Sequence, residues 1–153
     1  MKLIKRSVVF VAALALLSVG SASAQEERSY FDGRSAADEN VPPFSGAVIV
    51  GDTMYVSGSL GLIDGKVPED PADEARAVMD AVKANVEAAG FTMDDVVRVQ
   101  IFCSDVAHYG AFNAVYKTYF SKEYPARAFV GSGELLFGAR FEVMVTAVRR
   151  PAE

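Results

Sequence analysis

Cysteine is nearly absent from this 153-residue chain: Cys103 stands alone. No intrachain disulfide can form, so the fold must be held by its core. Histidine is as scarce, with His108 the single one. No cysteine or second histidine clusters with it, which argues against a metal site. A Ser-His-Asp triad has no nucleophile elbow to support it. A long apolar run is also missing. The greasiest stretch, residues 8–17, is too short for a comfortable membrane span. Positive charge is in deficit, with 15 Lys+Arg against 20 Asp+Glu.

The short apolar run follows Lys2, Lys5 and Arg6 and precedes Ala22-Ser23-Ala24. A basic start, an apolar middle and an A-x-A exit predict a secretory signal peptide over residues 1–24, cleaved after Ala24. The alternative is an uncleaved anchor. The expected localisation is periplasmic or secreted. Cleavage removes three of the 15 Lys+Arg and none of the 20 Asp+Glu, so the mature chain carries a formal charge of −8. That balance argues against nucleic acid and against anionic membranes as partners.

What remains is long enough for one domain. Residues 25–40 are polar, acidic and aperiodic, and read as a flexible lead-in; the domain proper spans 41–153. Val41-Pro42-Pro43-Phe44 reads as extended. Residues 47–50 and 53–57 flank Gly51-Asp52 as a hairpin with a type II′ turn. Ser57-Gly58-Ser59-Leu60-Gly61 ends the second strand. Its glycines either bring backbone amides close to a ligand or only turn the chain. Asp64-Gly65 is a turn. Asp70-Pro71 predicts an N-cap and N1 of a helix that stops at Gly90. Its buried stripe is Ala75, Val78, Met79, Val82, Val86 and Ala89, with Glu74 among the residues outside it.

Residues 96–103 predict a strand with Val97, Val99, Ile101 and Cys103 on one face. Cys103 is expected to be a packed, inert thiol. A second helix is expected over 108–120, burying Phe112, Val115, Tyr116 and Tyr119. Asn113 is odd in its middle: either it is solvated or it points an amide into a cleft. Strands over 126–132 and 140–148 complete the order ββαβαββ. The class is α+β, a mixed or mostly antiparallel sheet with two helices on one face. The last strand is apolar on both faces, since Met144 and Val148 oppose Phe141, Val143, Val145 and Ala147. Two helices cannot cover both faces, so the leftover face, placed beside Phe129 and Phe102, predicts a symmetric homo-oligomer.

The stretch 124–146, YPARAFVGSGELLFGARFEVMVT, carries the chemistry. Arg127 and Glu142 lie in two extended runs, and antiparallel pairing of those runs would bring them to one cleft. Arg127 shares a face with Phe129 by parity. A buried arginine needs an anionic partner. That partner is either Glu142, as a structural ion pair, or the carboxylate of a ligand.

The motifs Tyr55-Val56-Ser57-Gly58, Asn85-Val86-Glu87-Ala88-Ala89-Gly90 and Asp94-Asp95-Val96-Val97 occur in order. Phe112-Asn113-Ala114-Val115-Tyr116 with Tyr119-Phe120, Tyr124-Pro125-Ala126-Arg127 and Phe141-Glu142-Val143 follow. Together they resemble the RidA/YjgF reactive-intermediate deaminase family over about residues 41–149. The resemblance implies a chorismate-mutase-like fold and a homotrimer with ligand clefts between subunits. It implies hydrolysis of 2-imino or 2-enamino acids to 2-keto acids and ammonia, without a cofactor. Arg127 matches the carboxylate-binding arginine and Glu142 the acid that positions water. Asn113 and Ser57 match residues lining the cleft. Main-chain groups near Gly58 or Ala128 would bind the imine nitrogen or the water. Two positions depart from the pattern: Phe44 stands where many members have tyrosine, and Phe129 where many have cysteine. The latter ring is expected to narrow the pocket. A binding module for small carboxylates and a holdase-like protein on the same fold are the alternative functions.

Overall fold

The computed structural model describes residues 27–31 and 42–150. The expected signal peptide lies outside them. The strands are β1 (Arg28–Phe31), β2 (Ala47–Val50), β3 (Thr53–Leu60), β4 (Val96–Cys103), β5 (Ala126–Gly131) and β6 (Phe141–Val148). The helices are α1 (Pro71–Ala88) and α2 (Tyr109–Tyr116). The α+β class holds, with one strand more than expected. β1 falls in the stretch read as a flexible lead-in, where it pairs antiparallel with β2.

One sheet runs in the order β1-β2-β3-β6-β4-β5. All pairs are antiparallel except β4 with β5. The β2–β3 hairpin turns at Gly51, where φ is +55°. Glycine takes a positive φ at the least cost, and Asp52 does not share it, as a II′ turn requires. Upstream of β2 the chain bends rather than extends, and the Phe44 N–H donates to the Pro42 carbonyl at 2.8 Å.

α1 starts where the sequence predicts. The Asp70 carboxylate accepts from the Ala72 N–H at 2.7 Å, and Pro71 occupies N1. Ala75, Val78, Met79, Val82 and Val86 are buried in one core with the inner faces of β3, β4 and β6. That inner face comprises Met54 and Val56, then Val99, Ile101 and Cys103, then Phe141, Val143, Val145 and Ala147. Each fully buried large side chain among them contributes roughly 1.5–3 kcal/mol relative to exposure.

Glu74 differs from its sequence reading. It is fully buried. Its Oε1 accepts from the backbone N–H groups of Arg140 (2.6 Å) and Phe141 (3.1 Å), and its Oε2 pairs with the Arg140 guanidinium at 2.7 Å. A carboxylate is tolerable inside because these donors replace its water. It ties α1 to the start of β6.

A bulge in β4 changes another expectation. Val96 pairs with Ala147 and Arg98 with Thr146, so Val97 is the extra residue. Parity resets there: Val96 is buried and Val97 exposed, the reverse of strict alternation. Phe129 also moves. It packs on the inner face, edge-on to Phe112 and Tyr109, not beside Phe102. The outer face still presents Tyr55, Met144 and Val148 as exposed apolar groups.

Candidate functional site

Arg127 rises from β5, the edge strand. Its ladder partner is the core residue Val99, so the side chain leaves toward the helices. Nη1 donates to Asn113 Oδ1 at 2.7 Å, and Nη2 reaches the Tyr109 hydroxyl at a long 3.4 Å. The guanidinium carbon sits 4.6 Å from the centroid of the Tyr116 ring. Asn113 and Tyr116 are three apart on α2 and therefore project from one side of it. The odd Asn113 is thus the acceptor that sets the arginine's orientation. Among the described residues no carboxylate pairs with Arg127.

Around this guanidinium lies a cleft of about 370 Å³, lined by Asn113, Tyr116, Lys117, Tyr124, Pro125 and Arg127. Its size suits a small ligand. A larger concavity of about 440 Å³ lies on the far side of Tyr124 and Pro125. Its two arginines, Arg149 and Arg150, share it with three acidic residues, Asp94, Asp95 and Glu123, whereas among the described residues no acidic one lines the Arg127 cleft. The Arg127 cleft is the better anion site.

Glu142 occupies the opposite side of the sheet. It alternates with buried Phe141 and Val143, and it pairs with Phe102 and Leu60. Next to it β3 carries a bulge between Val56 and Ser59, which sets Ser57 and Gly58 out of register. A Cβ on Gly58 would collide with Glu142 Oε1 and come within 2.8 Å of its Cδ. Gly58 is therefore not a turn glycine; it lies inside the strand and leaves room for a carboxylate. The Ser57 hydroxyl donates to the Ser45 carbonyl at 2.6 Å, which ties this bulge to the segment after exposed Phe44.

The expected meeting of Arg127 and Glu142 in one cleft of one chain does not occur. β4 lies between β5 and β6. From strand spacing and rise, the two Cα positions are about 14 Å apart, with side chains on opposite faces. Alternation fixes the face of each residue but not which strand lies beside it. The helical crossover through α2 makes β5 parallel to β4, a neighbour the residue pattern of β5 does not specify.

The predicted residues thus form two groups. Arg127 and Asn113 stand on the helix side. Glu142, Gly58 and Ser57 belong to the other side, and Phe44 precedes the Ser45 carbonyl that Ser57 holds. Ala128 is exposed opposite Gln100 on that outer face. Phe129 is turned into the core and is not part of the cleft wall, so it does not narrow the cleft as expected. Sequence reasoning missed Tyr109, Lys117 and Tyr124 as neighbours of Arg127, and it read Tyr116 only as core. The i, i+3 spacing of Asn113 and Tyr116 was the available signal.

The chain was compared with known proteins. The family model described as Endoribonuclease L-PSP matches residues 35–149. A 2-iminobutanoate/2-iminopropanoate deaminase of Dermatophagoides farinae is 40% identical over 110 residues, covering 70% of this chain and 86% of its relative. One of the same name from Escherichia coli K12 is 34% identical over 126 residues, covering 76% and 98%. The crystal structure of E. coli TdcF with bound serine superposes with a TM-score of 0.69 at 30% identity, covering 72% of this chain and 91% of that one. Order of elements, matched span and relatives agree: the chain belongs to the Endoribonuclease L-PSP family, the RidA/YjgF proteins.

Proposed function

We propose that this protein hydrolyses 2-imino or 2-enamino acids to 2-keto acids and ammonia, as an exported homotrimer that needs no cofactor. The observation that carries the reading is Arg127. Its guanidinium is oriented by a neutral amide and an aromatic face, so its charge remains available for a ligand carboxylate. The names of the relatives support the substrate class. A relative crystallised with serine supports a small carboxylate as ligand.

The chemistry needs little beyond positioning. A protonated imine carbon is electrophilic, and Arg127 would fix it through the carboxylate. Fixation of this kind is worth up to about 7–11 kcal/mol. Glu142 would take a proton from water as the oxygen attacks carbon and hand it to the nitrogen; collapse of the adduct then breaks the C–N bond, releases ammonia and returns the hydroxyl proton to solvent. General-base help is worth about 10²–10⁴-fold. Since Arg127 and Glu142 lie on opposite faces, a second copy must bring its Glu142 group to the Arg127 cleft. The exposed apolar outer face gives that assembly its driving force. A formal charge of −5 over the whole chain fits a polyanion such as RNA poorly.

The test is hydrolysis of a freshly generated 2-iminobutanoate by wild type and Arg127→Ala, with light scattering for oligomeric state. Turnover by a trimer, lost in the variant, is expected. A stable monomer, or equal rates, would sink the proposal. Intact mass of the exported form checks cleavage after Ala24.

A further inference from the structure

Tyr116 carries an unexplained polar atom. The residue is 4% exposed, and its hydroxyl is the only buried side-chain nitrogen or oxygen among the described residues without a hydrogen-bond partner. Buried hydroxyls are almost always paired. If the ring served only as a platform for Arg127, phenylalanine would do as well. The sequence nevertheless places a phenol there, in the wall of the Arg127 cleft.

We propose that Tyr116 is a further ligand-positioning residue, whose hydroxyl donates a hydrogen bond to the carboxylate that Arg127 clamps. This rests on reading the cleft as a carboxylate site. The guanidinium carbon lies 4.6 Å from the ring centroid, and both side chains line the same cleft. A carboxylate has about four lone-pair sites, and the two bonds from an arginine fork leave others open. The phenol is fit to serve as a donor. Burial pushes its pKa up to about 12, against the opposing pull of Arg127, so it keeps its proton at ordinary pH.

The hydroxyl is closed off from solvent, and a ring must move to admit the ligand. Tyr124 is the candidate. It is 60% exposed, stacks on Tyr116 at 6.4 Å between centroids, and precedes Pro125 in the segment leading into β5. It is held by packing alone on one side and has solvent on the other.

Pyruvate, a 2-keto acid of the product class, is the probe. It is titrated calorimetrically into the full chain as wild type, Tyr116→Phe and Arg127→Ala. Tyr116→Phe should bind about 10- to 100-fold more weakly, the range for a hydrogen bond to a charged group. Its melting temperature should be unchanged or higher, because an unpaired hydroxyl has been removed. Wild-type affinity in Tyr116→Phe overturns the assignment. Wild-type affinity in Arg127→Ala overturns the carboxylate-site reading itself, a separate failure. If Tyr116→Phe does not fold, wild type labelled with 13C at the tyrosine Cζ decides. The Tyr116 resonance should shift on pyruvate addition; a resonance that stays put refutes the bond.

Discussion

The carboxylate of Glu142 fills the space that a side chain on Gly58 would occupy. This relationship gives the strand glycine a purpose beyond chain turning. Gly58→Ala should leave the strand intact, since the obstructing atom is the mobile end of a side chain and not backbone. It should swing the carboxylate away from its seat. Turnover is expected to fall toward that of Glu142→Gln, by about 10²-fold or more, while the melting temperature changes little. Imine hydrolysis with parallel thermal melts checks this. Normal turnover in Gly58→Ala would mean the seat of Glu142 is irrelevant to catalysis.

Glu74 makes the opposite kind of prediction. It is absent from the lining of the Arg127 cleft and fully buried, with three donors on its carboxylate. Glu74→Ala leaves two buried backbone N–H groups without an acceptor and takes the counter-charge from Arg140, and should destabilise by about 3–5 kcal/mol. Glu74→Gln keeps an acceptor for both backbone groups. Arg140, partly solvated, retains the carbonyls of Pro68 and Glu69 as acceptors, so that variant should lose much less. Denaturant melts of both variants separate the two cases.

These two residues show what the sequence could and could not say. α1 was legible because Asp70, Pro71 and Gly90 mark its ends by local chemistry. The β2–β3 hairpin was legible because Gly51 supplies a positive φ. The pairing of β5 was not, because it is a long-range choice that no residue of β5 encodes. Val97 was placed on the wrong face because a single inserted residue resets alternation. Glu74 was read as exposed because helical periodicity cannot reveal a partner 66 positions away. Half of the candidate site follows the same rule: Asn113 was singled out by its poor helix propensity, whereas Tyr116 looks like ordinary core until its hydroxyl is counted.

Cys103 should be chemically silent. It is fully buried, its thiol donates to the Asp105 carbonyl at 3.0 Å, and burial pushes its pKa up. Little thiolate forms near neutrality, and thiol reagents need thiolate. Labelling of native protein should be slow and should accelerate on unfolding. Cys103→Ala should retain activity. Rapid native labelling would contradict the packing of the β4 inner face.

Alkaline pH should weaken the fold through two tyrosines. Burial raises both phenols, Tyr116 to about 12 and Tyr119 higher still, where a hydrogen bond to Asp80 adds to the effect. A raised folded-state pKa means the folded chain holds the proton more tightly than the unfolded one. That stability is present below about pH 10. It is lost as pH rises from there through about 12. Melting temperatures between pH 9 and 12 should fall less steeply for Tyr119→Phe than for wild type. Equal slopes would mean the phenols are not held protonated by the fold.

Asn113 offers the sharpest test of how Arg127 is kept ready. Its amide oxygen orients the guanidinium at 2.7 Å without neutralising it. Asn113→Asp keeps nearly the same shape but puts a carboxylate where the amide was. An aspartate there becomes an internal counter-ion, turning the present charge-assisted hydrogen bond into a full ion pair. It competes with the ligand for the same cation. Pyruvate affinity should drop by about 10- to 100-fold, on the order of the free energy of one charged hydrogen bond, and the melting temperature should rise or hold. Asn113→Ala should behave differently. It frees the guanidinium to wander, which weakens binding more mildly and also lowers turnover through misplacement of the imine carbon. Added salt should partly restore binding to the aspartate variant by screening its pair, and should not help the alanine variant. If Asn113→Asp binds pyruvate as wild type does, the Arg127 cleft is not where the carboxylate goes.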